Sequence, residues 1–517
     1  MDLHALSATE LLARMAAREV SAVEVVRAHI ARIEAVDPAI NAMPVRRFEA
    51  ALVEAAVADA DRARGTGGLL CGLPISIKEN LDLAGYDSLL GVTGRPGGDA
   101  QADAPAVAAL RAAGAIVLGK SNVAQLLLAQ ETESTRYGVT RNPFDLGRTS
   151  GGSSGGESAA VAAGMAPLGL GTDIGGSVRI PCHFTGLYGT KGTVDRWSSR
   201  GAQSGVPGQE IVRSTLGPLA RSAADIALVF RVLDPVAFSR VDPGVPPLPM
   251  AEPPSLKGLR IGWHDDDGYL TPTPAIRRAV AQARDVLTAA GATLVPVQPV
   301  DAGEVVFLWL AALGSDGGQT MRTRLDGTPF IPQLKMASRL ARLPSVLRST
   351  LAVVAERAGD ARVAKTLRAI GSKPVETLWR LTARRTAMRL AELDRWNETG
   401  IDAMVCPPHV VPALPHRTSG DFAAATSYTF RYSLLNFPAG IAPVTRVQSA
   451  DVAAIPAGND RIERKIAAIG QGSEGLPVGV QVVARPWRED VMLAMMLALD
   501  AGCRGQSDYP VTPVNPR

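Results

Sequence analysis

GTDIGGSVRIP, residues 171–181, places Ser177 directly after two glycines and two positions ahead of Arg179. Gly175 and Gly176 permit positive φ and let a ligand approach the backbone closely. The N–H groups of Ile174, Gly175, Gly176 and Ser177 can then converge on one oxygen, as stabilisation of a developing oxyanion requires. A serine in that setting reads as a nucleophile, and a nucleophilic serine needs a base. The chain has six histidines, and the nearest one upstream is the distant His29. His183 is the local candidate, but beside Phe184 it reads equally well as a packed residue.

Two stretches further upstream supply other residue types. GRTSGGSSGGESAAVAAG, residues 147–164, has the composition of a flexible linker. It runs straight into helix-forming residues, however, and it lacks the lysine of a phosphate loop. GLPISIKEN, residues 72–80, ends an apolar strand-like run on Lys78. A lysine there is unexpected unless it is paired or functional. Burial depresses the pKa of a lysine, and a neutral amine is a competent general base.

Outward from these stretches the chain alternates short β-rich runs with helical ones. The runs are LPISI at 73–77, AIVLG at 115–119, LRIGW at 259–263 and ATLVPV at 292–297. That alternation predicts an α/β fold. Ser7 with Glu10 and Ser21 with Glu24 fit capping boxes and predict two helices over 7–36. The Pro-rich segment 236–256 reads as a surface connection between two halves. Composition is ordinary for a globular protein, with 46% hydrophobic and 20% charged residues. A net charge of +4 over 517 residues gives no reason to expect a nucleic-acid partner. Four scattered cysteines with no C-x-x-C pair argue against a zinc site or a disulfide framework. With no basic, apolar leader in MDLHALSATELL, a cytoplasmic location is expected, and the longest apolar runs are too short to cross a bilayer.

Lys78 in GLPISIKEN, the GGSSGG run at 151–156 and GTDIGGSVRIP together resemble the amidase signature family, serine hydrolases that use a Ser-Ser-Lys triad. The resemblance runs over most of the chain. It implies a single large α/β/α sandwich over 1–517 with a mixed, mostly parallel central sheet. Its parts would be N-terminal helices over 1–60, a catalytic core over 70–230, a helical cap-like insertion over 300–375 and the rest of the core over 376–517. By the same resemblance Ser177 attacks, Ser153 relays its proton and Lys78 receives it, with Ser154 as the other relay candidate. Ile174, Gly175, Gly176 and Ser177 form the oxyanion hole, while Asp173 and Arg179 hold the loop in shape. Leu127, Ala129 and Ser153 contact substrate, and no metal or cofactor is implied. GTKGT at 189–193 departs from the usual Leu-Lys-Pro-Thr of the family without removing a catalytic group.

Within the family, SYTFRYSLLNFPAGIAPVT (427–445), GLPVGVQVVARPW (475–487) and LARLPSVLRSTLAVVAE (340–356) most resemble the fatty acid amide hydrolase branch. The third segment corresponds to its membrane-facing cap. From Lys335 to Lys373 nine basic residues stand against two acidic ones, interleaved with apolar residues at helical spacing. That pattern suits a helix on an anionic surface, or an ordinary surface helix pair. The expectation is cleavage of small-molecule N-acyl amides with lipophilic or aryl acyl parts, with esters and carbamates as further substrates. Membrane contact would be weak and peripheral, and a homodimer is left open. The alternative is the glutaminase subunit of a tRNA-dependent amidotransferase; Ala129-Gln130-Glu131 stands where those subunits carry Gly-Ser-Ser before a Thr-Glu pair.

Overall fold

The computed structural model describes residues 2–517. Both predicted N-terminal helices form, α1 (Ala8–Ala16) and α2 (Ala22–Ile40), each closed by its capping box from Ser7–Glu10 and Ser21–Glu24. Eleven strands build one central sheet. In chain order they are β1 (Val45–Arg46), β2 (Pro74–Lys78), β3 (Ile116–Ser121), β4 (Leu168–Asp173), β5 (Tyr188–Lys191), β6 (Thr215–Ala220), β7 (Arg260–Trp263), β8 (Thr293–Pro296), β9 (Ala403–Cys406), β10 (Ala439–Arg446) and β11 (Pro477–Ala484). Their spatial order is β1-β3-β2-β4-β6-β5-β10-β11-β9-β7-β8. β2, β3, β4, β6 and β11 are buried at every position, which requires cover on both faces of the sheet.

The helices that matter below follow in chain order. α3 (Gly155–Ala162) and α4 (Arg179–Thr185) pack on the middle of the sheet, and α5 (Pro274–Ala289) packs on β11 and β10. α6 (Ala302–Leu313), α7 (Gln319–Leu325), α8 (Pro332–Ala341), α9 (Ser345–Arg357) and α10 (Ala361–Ala369) make up the helical segment expected over 300–375. α11 (Val375–Thr399), α12 (Ser427–Leu434) and α13 (Glu489–Cys503) complete the set.

The mixed α/β architecture agrees with expectation, but the sheet is not mostly parallel. Only β2/β3, β2/β4, β7/β8 and β7/β9 pair in parallel. The pairs β1/β3, β4/β6, β6/β5, β5/β10, β10/β11 and β11/β9 are antiparallel. The four strand runs singled out in the sequence all take part in parallel pairs, because helix crossovers join such strands. The antiparallel centre comes from glycine-rich and proline-containing strands, and helices separate several of its pairs too, α4 between β4 and β6 and Arg461–Gly470 between β10 and β11.

Candidate active site

Lys78 ends β2 with no exposure to solvent. Its Nζ lies 2.8 Å from Ser153 Oγ, 2.9 Å from Thr172 Oγ1 and 3.2 Å from Thr172 O. Burial outweighs the nearby Asp173, Glu157 and Glu79 carboxylates and brings the lysine pKa down to about 7. The carbonyl of Thr172 can only accept a hydrogen bond, and Thr172 Oγ1 has Asn80 Oδ1 within 3.5 Å as its own acceptor. Lys78 Nζ thus meets three oxygens, two of Thr172 and one of Ser153. Ser153 follows a cis Gly152–Ser153 peptide and precedes α3. Ser154 Oγ donates to Thr172 O at 3.3 Å, the carbonyl that Lys78 Nζ also meets, while only the Ser153 hydroxyl bonds the lysine itself.

Ser177 stands in the turn between β4 and α4, joined to the GGSSGG segment by Ser154 N–H donating to Ser177 O at 3.0 Å. Asp173 and Arg179 have fully buried side chains that meet as a two-pronged pair, Nε to Oδ2 and Nη2 to Oδ1, both 3.0 Å. The remaining Arg179 donors reach Thr429 O (3.0 Å), Gln481 Oε1 (2.8 Å) and Ser433 Oγ (2.7 Å), so all five are satisfied. Burial opposes ionisation of Asp173, but Arg179, Lys191 and the loop N–H groups prevail and hold its pKa near about 2. The loop is thus shaped by a permanently charged pair.

That pair also corrects one expectation. Gly176 N–H donates to Asp173 Oδ1 at 2.8 Å, which engages it away from the cavity. Among the described residues no protein acceptor meets the N–H groups of Ile174, Gly175 or Ser177, so three donors rather than four remain open. Gly175 cannot carry a side chain, since a Cβ would come 2.7 Å from the Trp309 ring and 2.9 Å from Phe430. Those two rings stack at 3.8 Å and lie over the turn, with Trp309 Nε1 donating to Ile174 O at 3.4 Å.

His183 plays no part in this arrangement. It is fully buried, with Nε2 3.2 Å from Val411 O and Nδ1 accepting from Gly479 N–H at 3.1 Å. Burial lowers its pKa to about 4.

Two cavities meet at Ser177. The larger encloses about 1210 Å³, its open mouth included, and is walled by apolar side chains such as Leu127, Ala129, Trp309, Met321, Phe330 and Leu334. Leu127 and Ala129 were expected there; the other four come from α6–α8 and the loop between α7 and α8. The smaller, about 450 Å³, sets the polar groups of Ser153, Thr172, Gln203, Ser204 and Ser214 among apolar side chains such as Leu126, Leu128, Ile174 and Val206.

Several supporting residues escaped the sequence reading. Thr172 and Glu157 lay within quoted stretches. Glu157 is a lone carboxyl in a helix of small residues, bonded to the Ser76 and Ser121 hydroxyls and raised by burial to about 7. Gln481 is the single polar side chain in PVGVQVVA, and that was the available signal. Lys191, in the variant GTKGT stretch, caps carbonyls of Gly192 (3.1 Å) and Phe437 (2.9 Å) and is lowered by burial to about 7.

The fold is that of an amide-cleaving hydrolase: the profile of the family described as Amidase matches residues 24–493, and the chain belongs to that family. It is 37% identical over 436 residues to fatty-acid amide hydrolase 1 of Sus scrofa, covering 83% of this chain and 75% of that one. It is 34% identical over 449 residues to fatty acid amide hydrolase 1 of Caenorhabditis elegans, covering 84% and 77%. A solved structure of a fatty acid amide hydrolase superposes with a TM-score of 0.81 at 25% identity, over 97% of this chain and 85% of that one.

Proposed function

We propose that this amidase hydrolyses N-acyl amides with a lipophilic or aryl acyl part through an acyl-enzyme on Ser177. The observation that carries the reading is the buried Lys78 Nζ 2.8 Å from Ser153 Oγ, with its pKa brought to about 7. In the proposed sequence neutral Lys78 accepts the Ser153 proton while Ser153 accepts that of Ser177, whose Oγ attacks the amide carbon. The open N–H groups of Ile174, Gly175 and Ser177 receive the negative oxygen. Ser153 then passes its proton to the departing amine and is reprotonated by Lys78, which becomes neutral again, and water repeats the cycle on the acyl-enzyme. The larger apolar cavity takes the acyl group and the smaller pocket, with its hydroxyl and amide groups, takes the amine.

The test is a fluorophosphonate probe together with anilide turnover by the purified chain. Ser177→Ala is expected to lose labelling and several orders of magnitude in kcat. Unchanged labelling of that variant would refute the assignment. Glutaminase activity appearing only with a partner protein would point to the amidotransferase alternative, which the apolar cavity disfavours.

Weak peripheral membrane contact belongs to the same proposal. On α9, Val346, Leu347, Val353 and Val354 are exposed at helical spacing, Val346 by 77%. The segment also carries the basic excess described above. Among the described residues no helix is long and apolar enough to cross a membrane. Vesicles containing anionic lipid should retain the protein more than neutral ones, and Val346→Asp with Val354→Asp should release it. Equal partitioning to both vesicle types would remove the membrane reading.

A further inference from the structure

The large cavity contains a mismatch. Two of the residues that line its apolar walls, Gln333 and Ser419, carry polar atoms that meet no partner among the described residues, Gln333 Oε1 and Ser419 Oγ. Gln333, in the first turn of α8, is 4% exposed; Ser419, opening the short 3₁₀ turn Ser419–Asp421, is 6% exposed.

Each residue is fixed by another of its atoms. Gln333 Nε2 donates to Glu133 Oε2 at 2.8 Å and lies 3.5 Å from Glu131 Oε2. Ser419 N–H donates to Glu131 Oε1 at 2.6 Å. The amide of Gln333 therefore cannot turn over, because its oxygen would then face carboxylates that only accept. A buried polar atom left without a partner costs about 1–3 kcal/mol. Two of them, on residues that line one cavity and both reach Glu131, form a site awaiting a polar group.

We propose that Gln333 and Ser419 recognise a hydroxyl carried on the acyl chain of the substrate. The inference rests on the amide-hydrolase reading and narrows its substrate class to hydroxylated acyl amides. A hydroxyl donates to Gln333 Oε1 and accepts from Ser419 Oγ–H. A methylene does neither, and a ketone can only accept.

Matched medium-chain anilides provide the test: a plain chain, a series with one hydroxyl walked along it, and ketones at the same carbons. One hydroxyl position should raise kcat/KM about tenfold over the plain chain, the worth of one good hydrogen bond. The ketone there should not. Gln333→Leu and Ser419→Ala should each bring the hydroxyl-to-plain ratio towards one; Ser419→Ala leaves the backbone anchor on Glu131 in place. The proposal is overturned if no hydroxyl position gains, or if the ratio survives both substitutions. An enzyme that cleaves none of the anilides refutes the amide-hydrolase reading instead. Recognition is then measured by calorimetry of hydroxylated against plain fatty acids on Ser177→Ala protein, where tighter binding of a hydroxy acid supports the proposal and equal binding overturns it.

Discussion

At the residue scale the chemistry turns on how a dry environment treats a cation. Lys78 gives up its proton at about pH 7 because burial penalises the charge more than the neighbouring carboxylates favour it. As the proposed base it must be neutral, so kcat/KM should rise with pH through about 7 and hold level on the alkaline side. Lys78→Ala should flatten that profile and lose most activity, while His183→Ala, remote from Ser177 by its bonds to Val411 and Gly479, should keep both. A pH–rate profile of each variant decides it, and a His183→Ala protein as inactive as Lys78→Ala would reverse the assignment. Ser153 carries a second expectation. An amine leaves poorly unless protonated, so Ser153→Ala should depress an anilide more than the matching ester. Equal losses on the two would reduce Ser153 to a residue that positions Ser177.

At the element scale the site is a turn clamped between two layers. The β4–α4 turn is drawn inward by Asp173 and Arg179 and covered by the Trp309–Phe430 stack, which α6 and α12 supply. Gly175→Ala places a methyl against both rings, so the stack must part or the turn must shift. The expected result is a fall of about a hundredfold or more in kcat, the scale of losing one oxyanion donor, with a smaller effect on stability. Normal kcat in that variant would show that the turn tolerates displacement. Arg179→Lys keeps the charge but loses the fork and most of the donors. It should destabilise the fold by about 3–5 kcal/mol, as breaking a buried pair does, measured as a shift in the urea midpoint.

Across the whole molecule, two buried lysines shared between the site and its support give stability a pH dependence. Lys78 and Lys191 titrate at about 7 when folded, against 10.5 as free side chains. Between those values the unfolded chain holds protons that the folded chain has released, so stability rises with pH from about 7 towards 10.5, and the loss on lowering the pH is complete by about 7. Each lysine contributes up to ~1.4 kcal/mol per pH unit. The urea midpoint should therefore increase from pH ~7 to pH ~8.5, and Lys78→Met should remove about half the slope. A midpoint that falls over this range would contradict the burial argument. The same long reach explains what could be read in advance. Ser177 and Lys78 stood out within their own short stretches, whereas Ser153, Asp173 and Arg179 were assigned through the family resemblance. The direction of the Gly176 N–H was not legible, because a carboxylate three residues away decides it. Gln481, Thr429 and Ser433 were missed as partners of Arg179 because only tertiary folding brings them within reach. The sense of the central strands was missed because helices also separate antiparallel neighbours, α4 between β4 and β6 and Arg461–Gly470 between β10 and β11, so alternation with helices does not reveal direction.

β11 lies between β10 and β9, and it is the strand through which the sheet passes from the β1–β6 side to β7, β8 and β9. It also carries Gln481, one of the acceptors that Arg179 needs. A ribosome delivers that strand long after Lys78 and Ser177. The nascent chain therefore exposes Ser177 and Lys78 long before it can seat them, and it cannot become an enzyme piecemeal during synthesis. A chain stalled before residue 475 should bind no fluorophosphonate at Ser177 and should need holding by chaperones, and release of the full-length chain should switch on labelling in a single step.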